Sequence, residues 1–297
     1  MSDYHKTIRD FWNAKAEHWE DDGQPASEFM EIYAENENKF GNKVVDIGCG
    51  KGRYLIFFGS KGKEVTGVDI SDDMLKGAKE KLEQAGVKAN LVHGEVSDLQ
   101  FSSGCFDSAV SIGAIHHNKW ENITKSFHEV SRVLKSGGLF IFQGRSINDN
   151  TNERVQLEDS GFTAADVDGD KAGVVQHYFT LEELRSLSEK NGMSIVGEPR
   201  EILKDKGNGK VRARRRRSCP RSPPARSPAP RWTRCRGWPS ARRAAAGCAP
   251  PAPGTGSPGA PADRPTASRT VAAQRPAGRT APARPSPRYR PDASACP

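Results

Sequence analysis

Three features are missing from this chain of 297 residues, and each absence narrows its class. No apolar run is long enough to cross a membrane, and the first residues lack the apolar core of a secretory signal peptide. The six cysteines include no C-x-x-C pair, a spacing typical of zinc sites. We therefore expect a soluble, cytoplasmic protein that has no membrane partner and no metal site.

The last part of the chain is poor in the residues that build a core. Residues 211–297 contain no Ile, Leu, Met, Phe, Asn, Glu, His or Lys, and they hold 18 of the 20 prolines. With so little apolar surface to bury, this segment does not offset a loss of chain entropy of about 1–2 kcal/mol per residue. We expect a disordered Arg/Pro/Ala-rich tail over residues 211–297.

Charge divides the chain at the same place. Residues 1–210 hold 26 lysines and arginines against 35 acidic residues, a net charge of −9, whereas residues 211–297 hold 19 arginines against two acidic residues, a net charge of +17. The basic pI therefore belongs to the tail. Arginine-rich segments such as Arg214–Arg217 bind RNA in other proteins, so a nucleic-acid partner of the tail stays open.

The stretch Val44–Gly52 is the most informative part of the sequence. Two β-branched residues precede an acid, and glycine then occupies positions 48, 50 and 52. This pattern predicts a buried parallel strand, a tight turn and then a helix, which is how open α/β sheets hold nucleotide-like ligands. The dinucleotide fingerprint is absent because its third glycine would fall on Arg53, and the phosphate loop is absent too.

A second strand, Glu64–Asp69, ends in an acid that lies 21 residues after Gly48. An acid at this place in a βαβ unit accepts hydrogen bonds from ribose hydroxyls. Helix capping is the alternative role for Asp69, but Ser71 suits that role better. Further strands are predicted at Ala89–His93 and Phe106–Ile112, each in alternation with helical patterns.

Three segments, in order across residues 43–142, resemble class I S-adenosylmethionine (SAM) methyltransferases. Asp46-x-Gly-x-Gly-x-Gly52 resembles motif I, residues 94–101 resemble the family's G-D-A-x-D-L-P-F, and residues 129–138 resemble its E-x-x-R-V-L-K-P-G-G. The chain is similar to the large group that includes methyltransferase type 11 and the ubiquinone/menaquinone-type small-molecule methyltransferases.

The resemblance implies an α/β fold, a Rossmann-like, doubly wound, mostly parallel sheet. It also implies an N-terminal helical lid over residues 1–40 and a SAM-binding domain over residues 41–210. The alternative to a lid is that the N-terminal helices pack on the core, and the two roles are compatible. The family's last strand is antiparallel and lies between its fifth and sixth strands. Val211–Ala213 is a short candidate start, so we expect this strand to be missing or replaced. The abrupt change in composition after Lys210 is what a shifted reading frame would produce.

By the same resemblance, the cofactor is SAM. The glycine turn faces its methionyl part, Asp46 supports that turn, and the acid after the second strand holds the ribose. The loop after the third strand meets adenine, and the end of the fourth strand lines the floor of the site. The cofactor-binding candidates are Asp46, Gly48, Gly50, Asp69, Ile70, Glu95, Val96 and Ile112.

On the acceptor side, His116 and His117 follow the fourth strand and are the catalytic candidates. Either ring can take a proton from an acceptor O–H or N–H, because histidine titrates near neutral pH. The alternative is that they bind loop backbone or pack on the cofactor. Arg145 and His177 are candidate substrate residues that would suit an anionic acceptor, with a structural or surface role as the alternative.

These observations favour a SAM-dependent methyltransferase that acts on a small-molecule acceptor. Two alternatives stay open. One is a nucleic-acid methyltransferase tethered by its arginine-rich tail. The other is a defective product with a frameshifted C-terminus, which would leave strand edges exposed.

Overall fold

The structure, a computed structural model, describes residues 3–18, 23–149, 154–156, 163–166, 174–204, 211–213 and 266–277. Most of the predicted tail, including Arg214–Arg217, lies outside these residues. Within the described residues, no helix combines the length and the apolar character needed to cross a membrane.

The described residues form six α-helices and one short 3-10 turn at Glu37–Lys39. Two helix starts show why they form where they do. The Ser71 hydroxyl accepts a hydrogen bond from the Met74 amide at 3.0 Å, and Thr180 and Glu183 form a capping box. The helices are α1 (Asp3–Ala16), α2 (Ser27–Asn36), α3 (Arg53–Gly59), α4 (Asp72–Ala85), α5 (Trp120–Val133) and α6 (Leu181–Lys190).

Eleven strands are described, and eight of them form one continuous path of paired strands. The other three form a small antiparallel extension in the region between residues 145 and 180. The strands are β1 (Lys43–Ile47), β2 (Glu64–Asp69), β3 (Ala89–His93), β4 (Phe106–Ile112), β5 (Leu134–Ser146), β6 (Arg154–Gln156), β7 (Thr163–Asp166), β8 (Val175–Phe179), β9 (Ser194–Lys204), β10 (Val211–Ala213) and β11 (Thr266–Gln274).

The strand order along the main sheet is β10-β9-β11-β5-β4-β1-β2-β3. Neighbours from β3 through β5 are parallel, so the carboxyl ends of β1, β2 and β4 meet at one edge of the sheet. The order reverses at β1, where β2 lies on one side and β4 on the other. This is the doubly wound, mostly parallel sheet that the sequence predicted, and the reversal point is where such folds bind ligands.

The two faces of the sheet carry two separate parts of the core, because alternate residues of a strand point to opposite faces. Val45 of β1 packs in a cluster with Phe127 of α5 and Leu184 of α6. Its neighbour Val44 packs in a second cluster with Phe29 of α2, among the aromatic residues of α2 and α3. Burial on both faces fixes the strand register, which in turn fixes the loops at the carboxyl edge.

The last antiparallel strand is supplied by the tail. β11 lies between β5 and β9 and pairs antiparallel with both, whereas Val211–Ala213 forms the edge strand β10. The predicted gap is thus filled by a replacement, and the prediction of a disordered tail was wrong for residues 266–277. Backbone pairing on both sides and the burial of Val271, Ala272 and Ala273 to 1–3% exposure outweigh the unfavourable composition.

A polar network also holds β11 in place. Arg269 is buried, its Nε donates to the Ser146 hydroxyl at 3.0 Å, and its guanidinium lies 3.0 Å from the carboxylate of Glu201. Ser146 and Asn148 also donate to Glu201. These contacts lower the pKa of Glu201 against the opposing effect of desolvation.

Candidate functional site

A cavity of about 440 Å³ lies at the carboxyl edge of the sheet, which is within the range of small-molecule sites. Its walls come from the loops after β1, β2, β3, β4 and β5, from α1 and from β11. Of the predicted site residues, those that line it are Gly48, Gly50, Asp69, Ile70, Glu95, Val96, Ile112, His116, His117 and Arg145.

The glycine turn after β1 brings bare backbone to the cavity. Gly48 has a φ of +76°, and a Cβ there would lie 2.1 Å from the Cβ of Ala114, in the loop after β4. Gly50 has a φ of +50°, and a Cβ there would meet no atom within 4 Å. The first glycine therefore permits two loops to touch, and the second leaves open space at the cavity wall.

Asp69 ends β2 with a carboxylate whose direction is fixed by backbone. The Gly50 amide donates to its Oδ2 at 2.8 Å, and the Ser71 amide donates to its Oδ1 at 3.0 Å. Desolvation raises the pKa of Asp69, while these amides, that of Ile70 and the charge of His93 oppose the rise. Three amide donors leave at least one of the four carboxylate lone pairs for a ribose hydroxyl.

Asp46 is buried in β1 and does not line the cavity. Within the described part of the chain its Oδ2 has no hydrogen-bond partner. Desolvation raises the pKa of Asp46 to about 8, and the nearby charge of Asp69 adds to the rise. Its predicted contribution to cofactor binding stays a prediction, exerted through the turn that follows it.

Helix α1 covers part of the cavity. Ile8 and Trp12 line it, and the helix is fastened to the loop after β2 because the Ser71 hydroxyl donates to Asn13 Oδ1 at 2.7 Å. Helix α2, in the same predicted lid segment, packs instead in the core through Phe29. The side chains that face the cavity from this segment are thus mainly those of α1.

His116 and His117 lie at the cavity, as predicted, and both are buried. Their ring centroids are 4.0 Å apart, and the His117 ring packs edge-on against Trp12 with centroids 5.1 Å apart. The loop is held from behind, since the His177 amide donates to the His116 carbonyl at 2.8 Å. Three rings from two elements therefore form one aromatic surface.

Of the two predicted substrate residues, one lines the cavity and the other does not. Arg145 lines the cavity, and its Nη1 donates to Asp149 Oδ2 at 2.8 Å. His177 does not reach the cavity: it is fully buried beside Thr163, 2.9 Å from its Nδ1, and beside Glu183, 3.5 Å from its Nε2. This corrects the assignment of His177 to the substrate, because β8 turns its side chain into the core.

Sequence reasoning missed several cavity residues. Asp149 lies in the segment after β5, and Ser268 lies in the predicted tail. Gln143 follows the apolar part of β5, and its Nε2 donates to the Ser268 hydroxyl at 3.3 Å. A polar residue directly after the run Leu139–Phe142 was the available signal for Gln143, whereas nothing local marked Ser268. Among the described residues, no group of His, Cys, Asp or Glu has the arrangement of a metal site.

Comparison with known proteins agrees with this geometry. A family profile described as a methyltransferase domain matches residues 44–138. An uncharacterised protein of Methanocaldococcus jannaschii is 31% identical over 54% of this chain and 65% of its own length. An uncharacterised methyltransferase of Geobacillus is 27% identical over 57% of this chain and 81% of its own length.

A demethylmenaquinone methyltransferase of Staphylococcus aureus is 38% identical over 34% of this chain and 42% of its own length. The chain thus spans less than two thirds of the length of two of these three relatives. Two solved structures share the fold. One is a SAM-dependent methyltransferase of Methanosarcina mazei, with a TM-score of 0.55, 19% identity and coverage of 82% of this chain and 98% of that one.

The other is the magnesium protoporphyrin IX methyltransferase of Synechocystis with bound SAM, with a TM-score of 0.50, 16% identity and coverage of 68% and 91%. Fold and site thus define a Rossmann-like domain with a ligand-sized cavity at the carboxyl edge of its sheet. Residues 44–138 match a methyltransferase domain, and the chain is similar to class I SAM-dependent methyltransferases, whose cofactor is SAM.

The residues present fit that cofactor. Open space beside Gly50 admits a chain of atoms against bare backbone, and Asp69 presents an oriented carboxylate at the next strand end. Glu95 and Val96 line the cavity one strand further along. Methionyl, ribose and adenine parts have one candidate loop each, in the order β1, β2, β3.

Proposed function

We propose that this chain transfers a methyl group from SAM to a small-molecule acceptor. The observation that carries the proposal is that the loops after β1, β2, β3 and β4 contribute their motif residues to one cavity. Those residues belong to sequence segments that are spread across residues 43–142. Their convergence on a single ligand-sized space is what a cofactor site requires.

Binding depends first on the pair of strand ends at β1 and β2. Asp69 receives two backbone N–H groups, so its carboxylate is oriented before a ligand arrives. Such pre-organisation strengthens a hydrogen bond to a ribose hydroxyl, because little ordering is needed on binding. Gly48 and Gly50 keep side chains out of the space that the methionyl part would take.

SAM supplies a methyl group on a sulfonium, which is already activated for in-line displacement. The protein must therefore mainly position the acceptor and exclude water. Ile8 and Trp12, which belong to the N-terminal segment of residues 1–40, serve the second task as an apolar cover of the cavity. His116 or His117 serves as the proton acceptor, since both line the cavity beyond β4.

The relatives support a small acceptor. The Staphylococcus relative is named for demethylmenaquinone, and the Synechocystis structure is named for magnesium protoporphyrin IX. The folded part of this chain is acidic, which disfavours a nucleic-acid substrate. The defective-product alternative requires an unfilled edge between β5 and β9, and β11 occupies that place.

The proposal is tested with radiolabelled SAM and fractionated metabolite extracts. We expect label to enter a small-molecule fraction with the full chain and to be lost with Asp69→Ala. Asp73→Ala, a substitution of an exposed acid on α4, is the matched control and retains transfer. Transfer of label into nucleic acid alone, or none into any fraction by a chain that binds SAM, would contradict the proposal.

The histidine role has its own test. We expect His117→Ala to lower turnover while the dissociation constant for SAM stays unchanged, because the ring faces the acceptor end. His128→Ala, an exposed histidine of α5, is the control. Equal losses of turnover and SAM affinity would remove His117 from the proton-transfer role, and thermal unfolding of each variant checks that the fold persists.

A further inference from the structure

The acceptor end of the cavity has a polar composition of its own. Once the residues assigned to SAM are set aside, Gln143 and Arg145 of β5 and Asp149 in the segment after it line this wall, and β11 adds Ser268. The aromatic surface formed by Trp12, His116 and His117 faces the same space. Two features of this end, its charge balance and its shape, restrict the class of acceptor.

The charge of Arg145 is balanced within the wall. Its guanidinium donates to the Asp149 carboxylate at 2.8 Å, and that carboxylate is about 2% exposed, against 19% for the arginine side chain. An anionic acceptor would lie beside the buried carboxylate of Asp149, and a cationic one beside the part-exposed guanidinium of Arg145. Neither gains a net opposite charge here, and both lose hydration, so the wall favours an uncharged molecule.

The arrangement of the three aromatic rings restricts the shape of the acceptor. His116 and His117 lie with centroids 4.0 Å apart and ring planes inclined by 37°, and Trp12 meets the second ring at 5.1 Å. Three rings in contact give a continuous aromatic surface on one side of the cavity. Planar aromatic molecules pack on such a surface with large contact area and favourable ring–ring geometry.

A hydrogen-bonding edge comes from Gln143 and Ser268. The Gln143 amide donates to the Ser268 hydroxyl at 3.3 Å, which fixes that hydroxyl as an acceptor of one bond and leaves its own proton to donate. Gln143 is held in β5 by pairing with Thr270 of β11 on one side and with Ile112 on the other. Both groups therefore stand on a rigid sheet and not on a loop.

We propose that the methyl acceptor is an uncharged planar molecule that bears a hydroxyl or carbonyl group, and that Gln143 and Ser268 recognise this group. The proposal rests on the proposed function and specifies its substrate class. It also gives the tail strand β11 a role in recognition, because Ser268 reaches the cavity from that strand. This reverses the expectation that Arg145 selects an anionic acceptor.

The test uses three probes that share one ring system and differ in charge: catechol, 3,4-dihydroxybenzoate and dopamine. Each is titrated into the full chain loaded with S-adenosylhomocysteine, and binding is measured by ligand-observed NMR at neutral pH. We expect catechol to bind at least tenfold more tightly than either charged probe. Equal or tighter binding of 3,4-dihydroxybenzoate or dopamine, or binding of none of the three, overturns the proposal.

Variants locate the recognition. Ser268→Ala and Gln143→Ala weaken catechol binding several-fold and leave the dissociation constant of S-adenosylhomocysteine unchanged. Ser194→Ala, an exposed serine beside the far end of β11, changes neither. Unchanged catechol binding in both cavity variants overturns the role of the two residues. Failure of the wild-type chain to bind S-adenosylhomocysteine would instead contradict the proposed function on which this inference rests.

Discussion

The backbone amide of Gly50 donates a hydrogen bond to the Asp69 carboxylate at 2.8 Å, which ties the turn after β1 to the end of β2. The same carboxylate accepts a hydrogen bond from the backbone amide of Ser71. The hydroxyl of Ser71 caps α4 and donates a hydrogen bond to Asn13 of α1. One acid thus connects the glycine turn, the start of a helix and the cover of the cavity. We therefore expect a substitution of Asp69 to affect the glycine turn, the start of α4 and the position of α1.

Asp69→Ala should weaken SAM binding by about 1–3 kcal/mol, since hydrogen bonds to a charged group are lost. Isothermal titration calorimetry measures the difference, with Asp73→Ala as the control for an acid lost from the surface. An unchanged dissociation constant in a variant that still folds would remove Asp69 from the ribose site.

Gly48→Ala should destabilise the fold more than Gly62→Ala. Both glycines have a φ of +76°, so the backbone cost of about 1–2 kcal/mol is shared. Only the Cβ at position 48 meets another atom, the Cβ of Ala114 at 2.1 Å, and this overpacking adds about 1–3 kcal/mol. Chemical denaturation compares the two variants, and equal losses would show that the loops do not need this close approach.

Asp46→Asn should stabilise the cofactor-free protein more at alkaline than at acid pH. Because burial raises the pKa of Asp46 from 3.8 to about 8, its favourable contribution is complete below pH 4 and is lost as the pH rises through 8. We expect the gain in Tm over wild type to be larger at pH 8.5 than at pH 5, by roughly 4 °C or more. A gain that does not vary with pH would mean that the carboxyl group is ionised at both values.

Arg269→Ala should cost about 3 kcal/mol of stability, because it leaves the Glu201 carboxylate without its buried partner. Arg185→Ala on the exposed side of α6 is the matched control and should change stability by less than about 0.5 kcal/mol. The denaturation midpoints of the two variants are compared with that of the wild type. Matching small effects would contradict the placement of β11 between β5 and β9.

The sequence was sufficient for the parallel half of the sheet. Val44 and Val45, followed by an acid and spaced glycines, signal a strand and its turn through local chemistry alone. Asp69 was found in the same way, because strand-ending acids stand out against an apolar run. These features depend on short stretches of chain, where residue type and backbone geometry are directly linked.

The failures all involve distant partners. The sequence of Thr266–Gln274 carries no strong strand signal. This segment is a strand because it pairs with β5 on one side and with β9 on the other. Histidine is a residue type that is common in functional sites, yet the side chain of His177 in β8 points to Thr163 and Glu183. The ion pair between Asp149 and Arg145 is visible only in the structure. Residue type alone does not reveal such pairings.

The most direct test of the account is a crystal structure of the full chain with S-adenosylhomocysteine. We predict that the ribose hydroxyls lie within hydrogen-bond distance of Asp69 and that the adenine lies between Ile70 and the Glu95–Val96 loop. The methionyl part should pass over Gly48 and Gly50. Ligand bound away from these strand ends, or an Asp69 carboxylate turned out of the cavity, would contradict the account.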